Sequence, residues 1–155
     1  STRTGCCVVT GAITEAEAAG LLFMYEEEKM ARDVYAYFAT LYTLPVFRNI
    51  TKSEQAHMNA VKNLILGFKV EDGEILEKGA GEFVNAELAA LYTELTAKGK
   101  ASLKAALEVG VLIEEVDIED LEAQLLTVIN PSVKTVYTNL LAASKVHLKA
   151  FSSKL

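Results

Sequence analysis

Three features of the sequence predict an all-α fold, an up-down four-helix bundle with one long crossover containing a short extra helix. Ala, Leu and Glu are abundant and only two residues are Pro, a helix-forming composition. Apolar residues recur at helical spacing in four long stretches. Two abrupt breaks and one long gap separate those stretches, as two hairpins joined by a crossover require.

The chain has 155 residues, half of them apolar, enough for one domain with a packed core and no disulfides. A net charge of −6 without a basic stripe argues against a nucleic-acid partner. No apolar run approaches the ~18 residues of a membrane span, so a soluble protein is expected. The chain opens at Ser1 with no complete signal peptide, which suits a cytoplasmic protein or an exported mature chain. Residues 1–12 show no helical period and are read as a flexible N-terminal tail before a bundle domain at 13–155. The tail holds the adjacent Cys6 and Cys7. Neighbouring cysteines bridge each other only with strain, so a disulfide to another chain is their alternative to staying free.

The first long helix opens at Thr14 and Glu17, which have the spacing of a capping box. Its stripe is Leu21, Met24, Ala31, Val34 and Phe38. Pro45 ends that pattern and suits the first position of a second helix. That helix carries Ile50, Met58, Val61, Leu64 and Ile65 and ends by Gly67. Residues 67–85 are rich in Gly and scattered charge and read as a connection. Asn85 is placed to cap a short helix over 86–98 that ends at Gly99. The third long helix spans 102–127, with Leu103, Leu107, Val111, Ile118, Leu121 and Leu125 on one face. Asn130-Pro131 is a stop–start signal, after which Val133, Val136, Tyr137, Leu140, Leu141, Leu148 and Phe151 mark the fourth.

Charged residues interrupt these apolar faces. Glu54 and His57 stand three apart and so point the same way. Glu114 is in line with Leu107, Val111, Ile118 and Leu121, His147 falls between Ser144 and Phe151, and Glu28 lies one turn after Met24. Residues at one level of an antiparallel hairpin are equidistant from its turn. Positions 28 and 54 have their midpoint at 41, and 28 and 57 at 42.5, just before the Leu44-Pro45 break. Positions 114 and 147 have theirs at 130.5, on Asn130-Pro131. Both hairpins thus bring polar core residues, including both histidines of the chain, to matching depths. Buried ionised groups must be paired or bind metal, and carboxylates with imidazoles suit iron, manganese or zinc. A helical Glu-x-x-His pair is the signature of ferritin-like di-metal proteins.

The sequence resembles the rubrerythrin-type branch of the ferritin-like superfamily. Glu28 to Tyr35 (EKMARDVY) looks like its first ligand helix and Glu54 to His57 (EQAH) like its second. Glu114 falls where the third gives a glutamate, and Ser144 to His147 where the fourth reads Glu-x-x-His. More closely, residues 14–155 are similar to an uncharacterised prokaryotic ferritin-like family catalogued as a domain of unknown function. The strings EEEKMARDVY, PVFRNI, SEQAHM, IEEVDIEDLE and NLLAASKVHLKAF carry that match.

The resemblance implies Glu28, Glu54, His57, Glu114 and His147 as metal ligands, two bound iron ions with manganese or zinc as alternatives, and a homodimer. The implied activity is a ferroxidase- or peroxidase-type oxidation with O2 or H2O2, the electron donor being unspecified. Two departures stand out: Ser144 replaces a bridging glutamate, and Val111 stands where rubrerythrins carry another. Asp117 and Glu115 are placed to compensate. No CxxC pair of the rubredoxin kind is present. The alternative to an enzyme is a degenerate bundle with a mononuclear site or none, acting in binding or structure; Ser144 favours it.

Blander readings compete at each position. Glu54 could complete a capping box with Thr51 if the second helix began late. In the run Glu26-Glu27-Glu28 at least one side chain must point inward; spacing allows Glu27, and the resemblance selects Glu28. Glu115, Asp117 and Asp120 read as surface residues or supporting neighbours, and Tyr25, Tyr35 and Tyr137 as core aromatics.

Overall fold

The computed structural model of the chain describes residues 9–155; Cys6 and Cys7 lie outside the described residues. Among the described residues there are five α-helices and no strand: α1 (Glu15–Leu41), α2 (Pro45–Gly67), α3 (Ala86–Lys100), α4 (Leu103–Thr127) and α5 (Pro131–Ser152). A 3-10 turn, Ile75–Glu77, lies between α2 and α3.

Local chemistry accounts for the helix ends. At α1 the capping box closes in both directions: Thr14 Oγ1 accepts from Glu17 N, and Glu17 Oε1 accepts from Thr14 N. The other Glu17 oxygen accepts from Ile129 N and Asn130 N, tying the start of α1 to the α4–α5 turn. Pro45 and Pro131 occupy first-turn positions of α2 and α5, where their missing N–H costs nothing. Asn130 Oδ1 accepts from Ser132 N and Val133 N, while its Nδ2 donates to the carbonyls of Thr10 and Ala12. Asn85 caps α3 as expected, but α3 runs on to Lys100. Gly99 serves packing rather than termination: a Cβ there would run into the Phe38 ring. Ser102 is the N-cap of α4 rather than part of it, and Leu103 is 39% exposed instead of buried.

α1 packs along α2 and α4 along α5, α3 lies against α1 and α4, and the two hairpins meet through α2 with α5 and α1 with α4. The core is two apolar clusters. One gathers Val34, Phe38, Phe47, Ile50, Leu107, Ile113 and Phe151. The other gathers Leu21, Met24, Val61, Ile65, Leu121, Val133 and Tyr137. On each of the four long helices, charged or polar residues occupy the gap between the clusters: Glu27 and Glu28, Glu54 and His57, Glu114 and Asp117, Ser144 and His147. The depth match expected from the sequence is therefore a buried polar layer between two oily ones. Among the described residues no helix is long and apolar enough to cross a membrane.

The connection between α2 and α3 is fastened to α1 by buried charge. Lys29 Nζ donates to Asp33 Oδ2 (2.7 Å), Gly79 O (2.6 Å) and Glu82 O (2.8 Å) and sits over the Phe83 ring. Both Glu26 oxygens accept backbone N–H groups, from Val84 and Asn85. Asp33 also accepts from Gly81 N and Arg32.

Candidate metal centre

Glu28, Glu54 and Glu114 are fully buried, and His57 and His147 are 9% and 7% exposed. The run Glu26-Glu27-Glu28 is buried throughout, because the inner side of α1 faces the polar layer and its outer side faces the connection. α2 begins at Pro45, so Thr51 lies inside it and bonds Phe47 O; Glu54 is no capping residue.

The five residues selected from the sequence converge. In the tautomer protonated at Nδ1, His57 donates to Glu28 Oε1 at 2.9 Å, and the same atom lies 2.8 Å from Glu54 Oε1. His147 Nδ1 lies 3.6 Å from Glu114 Oε1 and 3.8 Å from Glu54 Oε2. The two imidazoles stack, with centroids 5.7 Å apart. Glu54 stands between the histidines with one oxygen toward each.

Three groups have ligand atoms within 4.8 Å of one another: Glu28, Glu54 and His57; Glu54, Glu114 and His147; and Glu27, Glu28 and Asp117. Of the additional candidates, Glu27 and Asp117 thus join the layer. Asp117 is 1% exposed, not a surface residue. Ser144 is buried and donates to Asp117 Oδ2 at 2.7 Å. Glu115 is exposed and takes no part, because it follows Glu114 by one residue, about 100° around α4. Tyr35, read as a core aromatic, also makes a polar contact through its hydroxyl, which donates to Glu114 Oε2 at 2.7 Å. Its place one turn before Ala39 and two turns after Glu28 gave no sign of that partner on α4.

Among the described residues no Lys or Arg pairs with any of these five carboxylates. Buried oxygens without a hydrogen-bond partner include Glu27 Oε1, Glu28 Oε2, both of Glu54, Glu114 Oε1 and Asp117 Oδ1, and His147 Nδ1 is also unpartnered. Such an orphan costs about 1–3 kcal/mol, so this concentration in one layer demands a compensating species. Burial, then the neighbouring Asp117 and Glu54, hold the Glu28 carboxyl well above the usual range. Burial, then Glu114 and Asp117, do the same to Glu54. Glu27 is pushed up to about 12 by burial and by Asp120 and Asp117. His57 is lowered to about 4 by burial and His147, so it is a neutral ring with a lone pair to offer. Protons or a cation can meet this demand. The two imidazoles and the clustered carboxylates form a donor set that fits a divalent transition metal.

Comparison with known proteins places the chain. Residues 17–155 match a family model described as an uncharacterized protein domain, DUF2202. The chain belongs to this family. An uncharacterized protein of the archaeon Methanocaldococcus jannaschii, MJ0754, is 44% identical over 110 residues, covering 71% of this chain. That match spans 59% of the relative's length. The crystal structure of hypothetical protein MJ0754 superposes with a TM-score of 0.89 at 41% identity, covering 93% of this chain and 82% of that one. This DUF2202 chain therefore shares its helical fold with that archaeal protein.

The imidazoles are the solvent-facing edge of the layer. His147 borders a surface groove of about 550 Å3 between α2 and α5, lined also by Pro45, Ile50, Val146 and Lys154.

Proposed function

We propose that this chain is a ferritin-like four-helix bundle whose polar layer holds two transition-metal ions, iron foremost, and oxidises with O2 or H2O2 in a ferroxidase- or peroxidase-type reaction. One observation carries the reading: two histidine-containing groups share Glu54, and their carboxylates keep buried oxygens that no described residue satisfies. Glu28 and His57 would hold one ion, Glu114 and His147 the other, with Glu54 between them. A bound iron pair supplies electrons to the oxidant and takes them from a reductant of unspecified identity.

The chain's own residues do the rest. Tyr35 fixes the outer oxygen of Glu114, leaving Oε1 directed at the centre. The apolar clusters on either side keep bulk water from the layer. The α2–α5 groove leads a small neutral oxidant to His147. Carboxylates held above their usual range release protons as cations bind, so metal uptake is coupled to proton release.

The test is anaerobic addition of Fe2+ to the purified chain, followed by O2 or H2O2. Iron should bind, and its oxidation should be followed spectrally at a rate well above that of free Fe2+. Failure to bind iron above stray levels overturns the reading. A second reading, a degenerate bundle with one metal or none acting in binding or structure, is favoured by Ser144. Its hydroxyl is engaged with Asp117 and offers no carboxylate to bridge two ions. Metal retained without an oxidation spectrum, or identical melting with and without chelator, would select it.

A further inference from the structure

We infer a third cation site in the polar layer, built from oxygen alone at the corner formed by Glu27, Glu28 and Asp117. It adjoins the histidine groups through Glu28 and so deepens the proposed function, but it needs neither histidine and no redox chemistry.

Glu27 and Glu28 are consecutive on α1, so their side chains diverge by about 100° and flank a space rather than stack. Asp117 comes from α4, one turn after Glu114. Ligand atoms of all three lie within 4.8 Å of one another. The three are 3%, 0% and 1% exposed. Each carries one buried oxygen with no hydrogen-bond partner: Glu27 Oε1, Glu28 Oε2 and Asp117 Oδ1. Glu28 already gives its other oxygen to His57, and Asp117 its other to Ser144. In Glu28 and Asp117 the orphan atom is thus the one turned away from a partner already made. Ser144 holds Asp117 without filling the corner.

Among the described residues no Lys or Arg pairs with Glu27 or Asp117, and each keeps a buried oxygen without a partner. A divalent ion at the corner would meet both. The donor type sets its class: carboxylate oxygens without nitrogen or sulfur select a hard divalent cation such as Mn2+, Mg2+ or Ca2+.

The experiment uses Mn2+ with the full chain, read by anomalous scattering from crystals grown in MnCl2 and by equilibrium dialysis. Wild type should show Mn2+ at the Glu27–Glu28–Asp117 corner. Glu27→Gln with Asp117→Asn should lose that peak alone, lowering the bound count by one ion while the histidine groups keep theirs. His57→Gln with His147→Gln should do the reverse. Should the double carboxamide variant not fold, Ser144→Ala serves instead: losing the bond that orients Asp117 should weaken the corner about tenfold or more. Mn2+ at the histidine groups of wild type but not at the corner overturns this inference and leaves the proposed centre standing. Mn2+ at the corner alone overturns the paired centre and leaves this inference standing. An unchanged count in the double carboxamide variant also overturns it.

Discussion

Two sets of buried charge share α1, and they are handled in opposite ways. Glu26, Lys29 and Asp33 face the connection between α2 and α3, and every charged atom there meets a donor or acceptor of the protein. Glu27 and Glu28 face the polar layer and, with Glu54, Glu114 and Asp117, keep oxygens that no described residue satisfies. Both sets lose hydration on folding, a cost that only good geometry recovers. The first set recovers it from the chain itself and is a fastening. The second leaves the cost open, and that is the observation on which the proposed metal centre rests.

The largest expected effect falls on the fastening. Lys29→Met strands the carbonyls of Gly79 and Glu82 in a dry place and takes from Asp33 its fully buried partner, leaving it Arg32 and Gly81 N. Removing one partner of a buried pair costs about 3–5 kcal/mol, read as a lower urea midpoint at unchanged slope. A loss below about 1 kcal/mol would erase the contrast between the two sets. Next comes the metal. Mn2+, or Fe2+ without oxygen, at about 100 times its dissociation constant should raise stability by about 2.7 kcal/mol. A chelator should return the melting temperature to its starting value. No shift on metal addition would mean the orphan carboxylates are balanced by protons alone.

The same contrast explains what the sequence alone made legible. Helix ends were readable because their signals are local: Thr14 with Glu17, Pro45, and Asn130-Pro131 all act where they stand. The five converging residues were readable because hairpin depth is arithmetic on a chain with clear turns. The fastening was not. Lys29, Asp33 and Glu26 are buried by a segment some fifty residues downstream, and helical periodicity carries no trace of what covers a helix from outside. The sequence leaves Asp117 between a compensating carboxylate and a surface residue for a related reason. Its partner is Ser144, the departure from the expected pattern, and that Ser–Asp pair spans two helices.

The pH dependence of the metal-free chain has a sign that separates protons from salt bridges. In the metal-free chain, burial raises Glu28, Glu54 and Asp117 above their ordinary values and Glu27 to about 12. Such groups stabilise fully below their unfolded values near 4 and lose that contribution as pH climbs toward the folded values. His57, lowered to about 4, acts oppositely, but only below about 6.5. Between pH 7 and 9, then, stability of the metal-free chain should fall, by about 1.4 kcal/mol per pH unit for each proton the fold retains. Melting temperatures in chelator across that window measure it. Flat or rising values would show the carboxylates ionised, and the layer compensated in some other way.

The smallest expected change in stability belongs to the residue placed most centrally. Glu54 is fully buried, neither of its oxygens has a hydrogen-bond partner, and it stands between both histidines. Glu54→Gln keeps the shape, replaces a carboxyl that burial, Glu114 and Asp117 hold above its usual range with a neutral amide, and adds two N–H donors beside Glu28 and Glu114. For the metal-free chain at pH 7 the expected shift is within about 1 kcal/mol and in the stabilising direction, since the added donors face oxygens that lack partners. The same substitution should abolish metal-dependent stabilisation at both histidine groups, because Glu54 belongs to both. A side chain whose loss stabilises the empty fold and destroys ion binding is kept for the ion. If Glu54→Gln instead destabilised the metal-free chain as strongly as Lys29→Met, Glu54 would be a fastening too, and the polar layer would be structural throughout.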